Sequence, residues 1–243
     1  SRSNNINIKM KPIYFMHIPK CGGTTVDNIF LKLSLALNSF QFKRFKYADL
    51  ERNEKFLLKD LNSSIPPFIS GHLDYNFAQN IKNIFKCSII RNPVDRIISH
   101  YKFQLLKLKL KPSELSFEQF ISKEVNSYRD NLITRHFIGW LGQKKSILKH
   151  HADKAIHNIN TFDKINIFEN WDYFVADLLS VFGLPSVFYS KFQEYNYNFL
   201  FEPNKTDYDL IKKYYKYDLV LYNFVSKKFP PEFMPKKIDY NKK

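Results

Sequence analysis

Short apolar runs that give way to helical periodicity recur along this chain, and that alternation constrains its fold more than any other feature. Pro12 to Ile18 (PIYFMHI) is the first such run, of strand length. Behind it Val26, Ile29, Phe30, Leu33 and Leu37 share one face of a helix expected over Thr24–Leu37. Thr24 and Asp27 stand at capping-box spacing, which would fix where that helix begins. Pro67 to Ser70 forms a second run, ending at Gly71-His72. A third, Phe85 to Ile90, leads into Arg91-Asn92-Pro93, where Asn suits an N-cap and Pro the first helical position. The helix expected there carries Val94, Ile97, Ile98, Tyr101 and Leu105 as one stripe. Lys164 to Phe168 is the fourth run, followed by a helix to about Phe182 that stops at Gly183-Leu184-Pro185. Strands alternating with helices predict an α/β fold with a mostly parallel central sheet.

The remaining stretches fit around that frame. A long helical insert is expected from about Ser116 to Asn160, and an amphipathic helical segment from Thr206 to Phe229. No repeat, Gly/Ser linker or low-complexity block interrupts the chain, so 243 residues read as a single domain, with flexible ends at 1–11 and 236–243. Twenty-four Phe and 15 Tyr exclude intrinsic disorder. Two cysteines make no disulfide framework and lean towards a reducing compartment. No apolar stretch approaches the ~20 residues a bilayer span needs, and the polar start has no signal-peptide core. Lys and Arg exceed Asp and Glu by 38 to 23, a net charge of +15 that points to an anionic partner. The wealth of Lys, Asn, Ile, Phe and Tyr is also what an A/T-rich genome encodes, so the position of the charges has to decide.

One position stands out between the first strand and its helix: His17-Ile18-Pro19-Lys20-Cys21-Gly22-Gly23-Thr24-Thr25. Glycines let successive amide N–H groups face one concavity, and the helix start behind them carries about half a positive charge. Lys20 adds a full charge and the two threonines add hydroxyls, so phosphate or sulfate binding outweighs a bare βα turn. The order is not that of the nucleoside-triphosphate loop, where Lys follows the glycines. No acidic residue other than Glu169 stands where a magnesium partner would, which disfavours ATP chemistry.

A second group is Arg91-Asn92-Pro93-Val94-Asp95-Arg96-Ile97-Ile98-Ser99-His100-Tyr101. Arg91 ends a strand, and its planar guanidinium suits bidentate binding of a phosphate, with Ser99 to complete it. A surface ion pair with Asp95 is an equal alternative from these residues alone.

Together, HIPKCGGTT and IIRNPVDRIISHY resemble the two-part cofactor signature of sulfotransferases that use 3′-phosphoadenosine-5′-phosphosulfate (PAPS), nearest their carbohydrate branch with heparan sulfate 2-O-sulfotransferase. Fainter similarity continues through SGHLDY, DNLITRHFIGW, FDKINIFENWDYF and DLVLYNFVSKKF. The resemblance implies a P-loop-like three-layer fold and sulfuryl transfer from PAPS to an acceptor hydroxyl, on a glycan or glycoconjugate that an anionic character would suit. It implies that Lys20, Cys21, Gly22, Gly23, Thr24 and Thr25 wrap the 5′-phosphosulfate and that Arg91 and Ser99 hold the 3′-phosphate. His72 matches the family's general base, Lys20 would stabilise the departing phosphate oxygen, and no metal takes part. Two departures matter: Cys21 stands where Thr or Ser is usual, and Ser70 where the 2-O enzymes carry a second histidine. A bacterial cytoplasmic enzyme and a Golgi lumenal domain cut from its anchor both fit. Lys20, His72 and Arg91 fall at or just past the carboxyl ends of expected strands, the edge where open α/β sheets bind ligands.

Other residues have plainer readings. His17 reads as structural, and His150, His151 and His157 as solvated on a lysine-rich helix. A helix N-terminus and Lys20 beside it would lower the Cys21 pKa and activate its thiolate, but a phosphatase-like nucleophile mechanism loses because no C-x5-R loop follows it. Cys87, Trp140 and Trp171 read as core. Asn131 and Arg135, one turn apart, face either a ligand or solvent. The rival functions are a P-loop-type kinase and a basic nucleic-acid-binding protein, although no nucleic-acid recognition motif accompanies the charge.

Overall fold

The computed structural model describes residues 11–36, 42–45, 65–184 and 201–229. Five strands form one all-parallel sheet, flanked by helices, in the order β2-β3-β1-β4-β5. They are β1 (Ile13–Met16), β2 (Phe42–Phe45), β3 (Phe68–Gly71), β4 (Phe85–Ile90) and β5 (Lys164–Ile167). All of β1 and β3 is buried, as expected of parallel strands covered on both faces. After β1 the chain builds β2 and β3 on one side, then crosses to build β4 and β5 on the other. The crevice beside the carboxyl end of β1 is therefore a topological switch point.

Register sets the level of the site. Met16 pairs with Gly71 of β3 and with Ser88 of β4, so the three central strands end close together. The His17 amide continues the ladder to the Gly71 carbonyl at 2.9 Å. The residues immediately after β1, β3 and β4 are thus His17, His72 and Arg91.

Helices follow the strands as the apolar stripes predict: α1 (Gly23–Ala36), α2 (Tyr75–Asn80) and α3 (Pro93–Leu108). Asn92 caps α3 by accepting from the Val94 amide at 2.9 Å, with Pro93 in the first turn. The expected Thr24–Asp27 capping box is not formed. Helix α1 starts one residue earlier, and the Asp27 carboxylate is engaged by three other side chains. The 116–160 insert resolves into α4 (Phe117–Asn126), α5 (Leu132–Ile138) and α6 (Lys149–Ile159). A 3-10 turn (Phe168–Asn170) joins β5 to α7 (Trp171–Val181), so the fourth apolar run gives a strand one residue shorter than expected. The C-terminal segment breaks at Tyr215 into α8 (Lys205–Tyr214) and α9 (Lys216–Lys228). Strand β2 was not expected, since FKRF offers two cations instead of an apolar run.

The main core is built from the sheet and the helices over it. A second apolar cluster joins α3, α4 and α8 through Ile97, Tyr101, Leu105, Phe117, Phe120 and Ile211. Cys87 is buried as read, its thiol turned to the Tyr14 carbonyl at 3.6 Å. Among the described residues no helix is long and apolar enough to cross a membrane. The expected flexible ends lie almost wholly outside the described residues.

Candidate functional site

The βα connection after β1 has the backbone that a concave anion site needs. Lys20 sits in the left-handed region at φ 67° and Gly22 at φ 86°, with Cys21 between them outside it. A left-handed residue with a side chain costs on the order of 1–2 kcal/mol, so Lys20 is held there by its surroundings. Alternation of this kind turns successive amides to one side. The amides of Gly22, Gly23 and Thr24 have no acceptor among the described residues, and they sit at the positive end of α1. The Cys21 amide instead donates to the Ile18 carbonyl at 3.3 Å, while the Thr25 amide donates to Gly22 at 3.0 Å. A side chain at Gly22 would meet the Phe168 ring at 2.6 Å, so that position needs glycine twice over.

Cys21 points into the core, fully buried, and burial pushes its thiol up to about 11. A thiol buried in this way is a poor nucleophile, and its side chain packs into the core instead of facing an anion in the loop.

Arg91 leaves the end of β4 and places its guanidinium over the Phe168 ring, 4.8 Å from the centroid. Its Nη1 reaches the Lys20 carbonyl at 3.5 Å. No ion pair joins it to Asp95. The Lys20 ammonium lies over the Phe103 ring at 4.5 Å. Burial and the Arg91 charge together lower the Lys20 pKa to about 8. Ser99 lies two turns into α3, half-buried, with no hydrogen bond of its own among the described residues.

His72 is fixed by its neighbour across the sheet. Its Nδ1 lies 2.7 Å from the His17 carbonyl oxygen, which only accepts, so Nδ1 carries the proton and Nε2 presents a lone pair. Burial pushes His72 down to about 4, the adjacent His17 adds to this, and the carbonyl bond offsets part of it. The imidazole is neutral at pH 7 and sterically committed to one tautomer.

His17, read from the sequence as structural, is buried and bonded on two sides. Its ring stands 4.3 Å from that of His72, centroid to centroid. Its Nδ1 donates to Asp27 at 3.1 Å. Asp27 also accepts from the Ser70 hydroxyl at 2.5 Å and from Arg44 Nε at 3.0 Å. Burial alone would push the Asp27 carboxyl up, but His17, Ser70 and Arg44 more than offset it and hold it below the usual range. A Cβ at Gly23 would fall 2.1 Å from the His17 ring, so the imidazole occupies the space a side chain there would fill.

Several sequence candidates take other roles. Asn131 stands at the N-cap position of α5 at φ 46° without a side-chain bond to that helix, donates to the Tyr214 carbonyl at 2.8 Å and accepts from the Tyr217 and Asp218 amides. Arg135 is 1% exposed and pairs with Asp130 at 2.7 Å, with further bonds to the Gln143 and Lys145 carbonyls. Asn131 ties the start of α5 to the α8–α9 junction, and Arg135 ties α5 to the loops on either side of it; both are buried. His151 is buried and accepts from the Leu148 amide at 2.9 Å, so it closes the start of α6 instead of being solvated. His150 and His157 are exposed as read. Trp171 is buried, while Trp140 is half-buried and packs on the core edge. Sequence reasoning missed Arg96, which is 1% exposed with none of its three side-chain nitrogens hydrogen-bonded among the described residues. Those residues hold no cluster of three or more His, Cys, Asp or Glu at metal-binding distance.

Comparison with known proteins gives the following. The model of the sulfotransferase family matches residues 6–225. No curated protein sequence matches significantly. Among solved structures, a sulfotransferase from Alicyclobacillus acidocaldarius is similar at a TM-score of 0.49 and 16% identity, over 88% of this chain and 95% of that one.

Proposed function

The chain belongs to the sulfotransferase family, and we propose that it moves a sulfuryl group from PAPS to a hydroxyl of a carbohydrate acceptor. The observation that carries this reading is the convergence of an unpaired amide cradle, two cations and a neutral imidazole at one sheet edge. The donor supplies an activated sulfuryl group on a phosphate that departs with its bonding electron pair. Gly22, Gly23 and Thr24 amides bind anionic oxygens, and Thr25 borders the loop. Lys20 stabilises negative charge as it builds on the leaving oxygen. Cys21 takes part through its position in the loop backbone only.

Arg91, with Ser99, takes the 3′-phosphate; a guanidinium braced on an aromatic face presents its fork without rotamer loss. His72 accepts the acceptor hydroxyl's proton at Nε2 while the acceptor oxygen bonds to sulfur and the sulfur–phosphate oxygen bond breaks. General-base catalysis of this kind is worth ~10²–10⁴-fold. The rest of the acceleration comes from alignment and fixed dipoles, and the reading calls for no metal. The surplus positive charge favours acidic acceptors.

Incubation with radiolabelled PAPS and a panel of acidic and neutral glycans tests this. Label is expected on a glycan hydroxyl, with acidic members ahead of neutral ones. Absence of transfer to every member, with adenosine 3′,5′-bisphosphate bound, would sink the carbohydrate acceptor while leaving the donor in place.

A further inference from the structure

Beside His72 stands a second, complete hydrogen-bonded array that the transfer scheme does not use. Asp27 is 2% exposed and its two carboxylate oxygens accept from three partners on three different elements. Oδ1 takes the Ser70 hydroxyl of β3; Oδ2 takes His17 Nδ1, at the end of β1, and Arg44 Nε of β2. A buried carboxylate with this many donors is rigid, and breaking one partner leaves the others costly to satisfy. Its rigidity passes to the His17 ring, which has Asp27 on one edge, His72 on one face and Gly23 against the Cδ2–Nε2 side. The His17 backbone is also pinned: its amide donates to Gly71 and its carbonyl receives His72. One residue therefore touches the base through its ring and its carbonyl, and touches the anion loop through Gly23.

We infer that the Asp27–His17 pair is a positioning device for this site, holding His72 and the Gly23 turn of the loop in fixed relation to each other. The inference rests on the proposed role of His72 and adds to it. It assigns Asp27, Ser70 and Arg44 to function, although none of them reaches the crevice chemistry directly. Misplacing a reacting group by about an ångström costs ~10²-fold in rate, which is the scale on which such a device acts. The titratable and charged groups around His72 are His17, Asp27 of α1, Arg44 of β2 and His136 of α5. Burial is the first cause that holds His72 neutral, and the adjacent His17 ring is part of what buries it.

The test uses the full chain as Asp27→Asn, His17→Asn and Ser70→Ala variants, with three readouts. In the donor-free protein, the His72 imidazole titrated by NMR is expected to move up from about 4 in His17→Asn, because burial is the first cause of its lowering and the His17 ring no longer covers it. Turnover of Asp27→Asn is expected to fall ~10²-fold, while calorimetric affinity for adenosine 3′,5′-bisphosphate holds within about threefold, a shift under the ~1 kcal/mol of one hydrogen bond. Ser70→Ala, which removes one such bond and is the mildest change, is expected to lose about fivefold in turnover. If Asp27→Asn does not fold, Ser70→Ala and the half-exposed Arg44→Gln carry the test in its place. Unchanged His72 titration and turnover in folded variants overturn the inference and leave the pair as a brace for the sheet. Failure of the wild-type protein to bind the bisphosphate would instead strike the donor reading, and the donor-free titration would still decide the role of the pair.

Discussion

The Arg91 guanidinium reaches across from the end of β4 to the carbonyl of Lys20, 3.5 Å away, so two cations from neighbouring strands share one corner of the crevice. Neither is in an ion pair among the described residues, and each lies over a phenylalanine ring instead. Like charges held together raise each other's free energy, and Arg91 adds to burial in lowering the Lys20 pKa. An anion entering the crevice relieves that repulsion while gaining both partners.

Removing one of the two cations is therefore expected to separate binding from folding. Arg91→Met should weaken adenosine 3′,5′-bisphosphate binding by ~10–100-fold, the range for a charge-assisted hydrogen bond. Its melting temperature should hold or rise, because a repulsive neighbour of Lys20 is gone. Arg91→Lys should not restore the affinity, since an ammonium lacks the planar fork. Calorimetry and thermal unfolding on the same preparations check all three points.

The pH dependence of kcat/KM is expected to be bell-shaped and unusually broad on its acid side. His72 works as the neutral base, so activity is present above about 4 and is lost as pH falls through that value. Lys20 works charged, so activity falls as pH rises through about 8. In free-enzyme kinetics these are the two groups the limbs report. His72→Ala should lower turnover ~10²–10⁴-fold with bisphosphate affinity retained.

Buried neutral histidines also predict acid sensitivity of the fold. His72, His100 and His136 titrate at about 4, 3 and 3 in the folded chain, against 6.5 when unfolded. Burial is the first cause in each case. Between those limits the unfolded chain binds more protons than the folded one, so stability rises with pH across roughly 4 to 6.5 and is lost on acidification. Chemical denaturation at pH 7 and pH 5 should show a loss on the order of several kcal/mol.

Asn131 and Arg135 serve as structural counterparts to the site residues. Asn131→Ala leaves the Tyr217 and Asp218 amides and the Tyr214 carbonyl without a partner, at a cost of more than ~2 kcal/mol. Turnover per folded molecule should be unchanged. Active-site titration with a tight bisphosphate ligand, compared with total protein, separates the two effects.

Much of this architecture was legible in residue order, and the exceptions share a physical cause. Strands β1, β3, β4 and β5 are apolar because helices cover both faces, and Lys20, His72 and Arg91 were placed by counting to the ends of such runs. Strand β2 was not legible: at the sheet edge it keeps Lys43 and Arg44, so no apolar run marks it. Asp27 was misread because spacing offered it a cap on Thr24, whereas tertiary partners from β1, β2 and β3 outbid a local hydrogen bond. His17 was read as structural because its significance comes from a ring on another strand. Asn131 and Arg135 were read as facing a ligand or solvent, and only tertiary partners, the start of α9 for Asn131 and the loops on either side of α5 for Arg135, reveal that both are buried. Arg96 sits in the apolar stripe of α3 beside Ile97, where a periodicity count passes over a charged residue.

The contact between Gly23 and the His17 ring couples the two positions sterically. A side chain at position 23 and an imidazole at position 17 claim the same volume, since a Cβ on one would fall 2.1 Å from the other. An alanine or serine at 23 therefore forces residue 17 to shrink or swing out, and swinging out would take from the carboxylate at 27 one of its three donors while Ser70 and Arg44 remain.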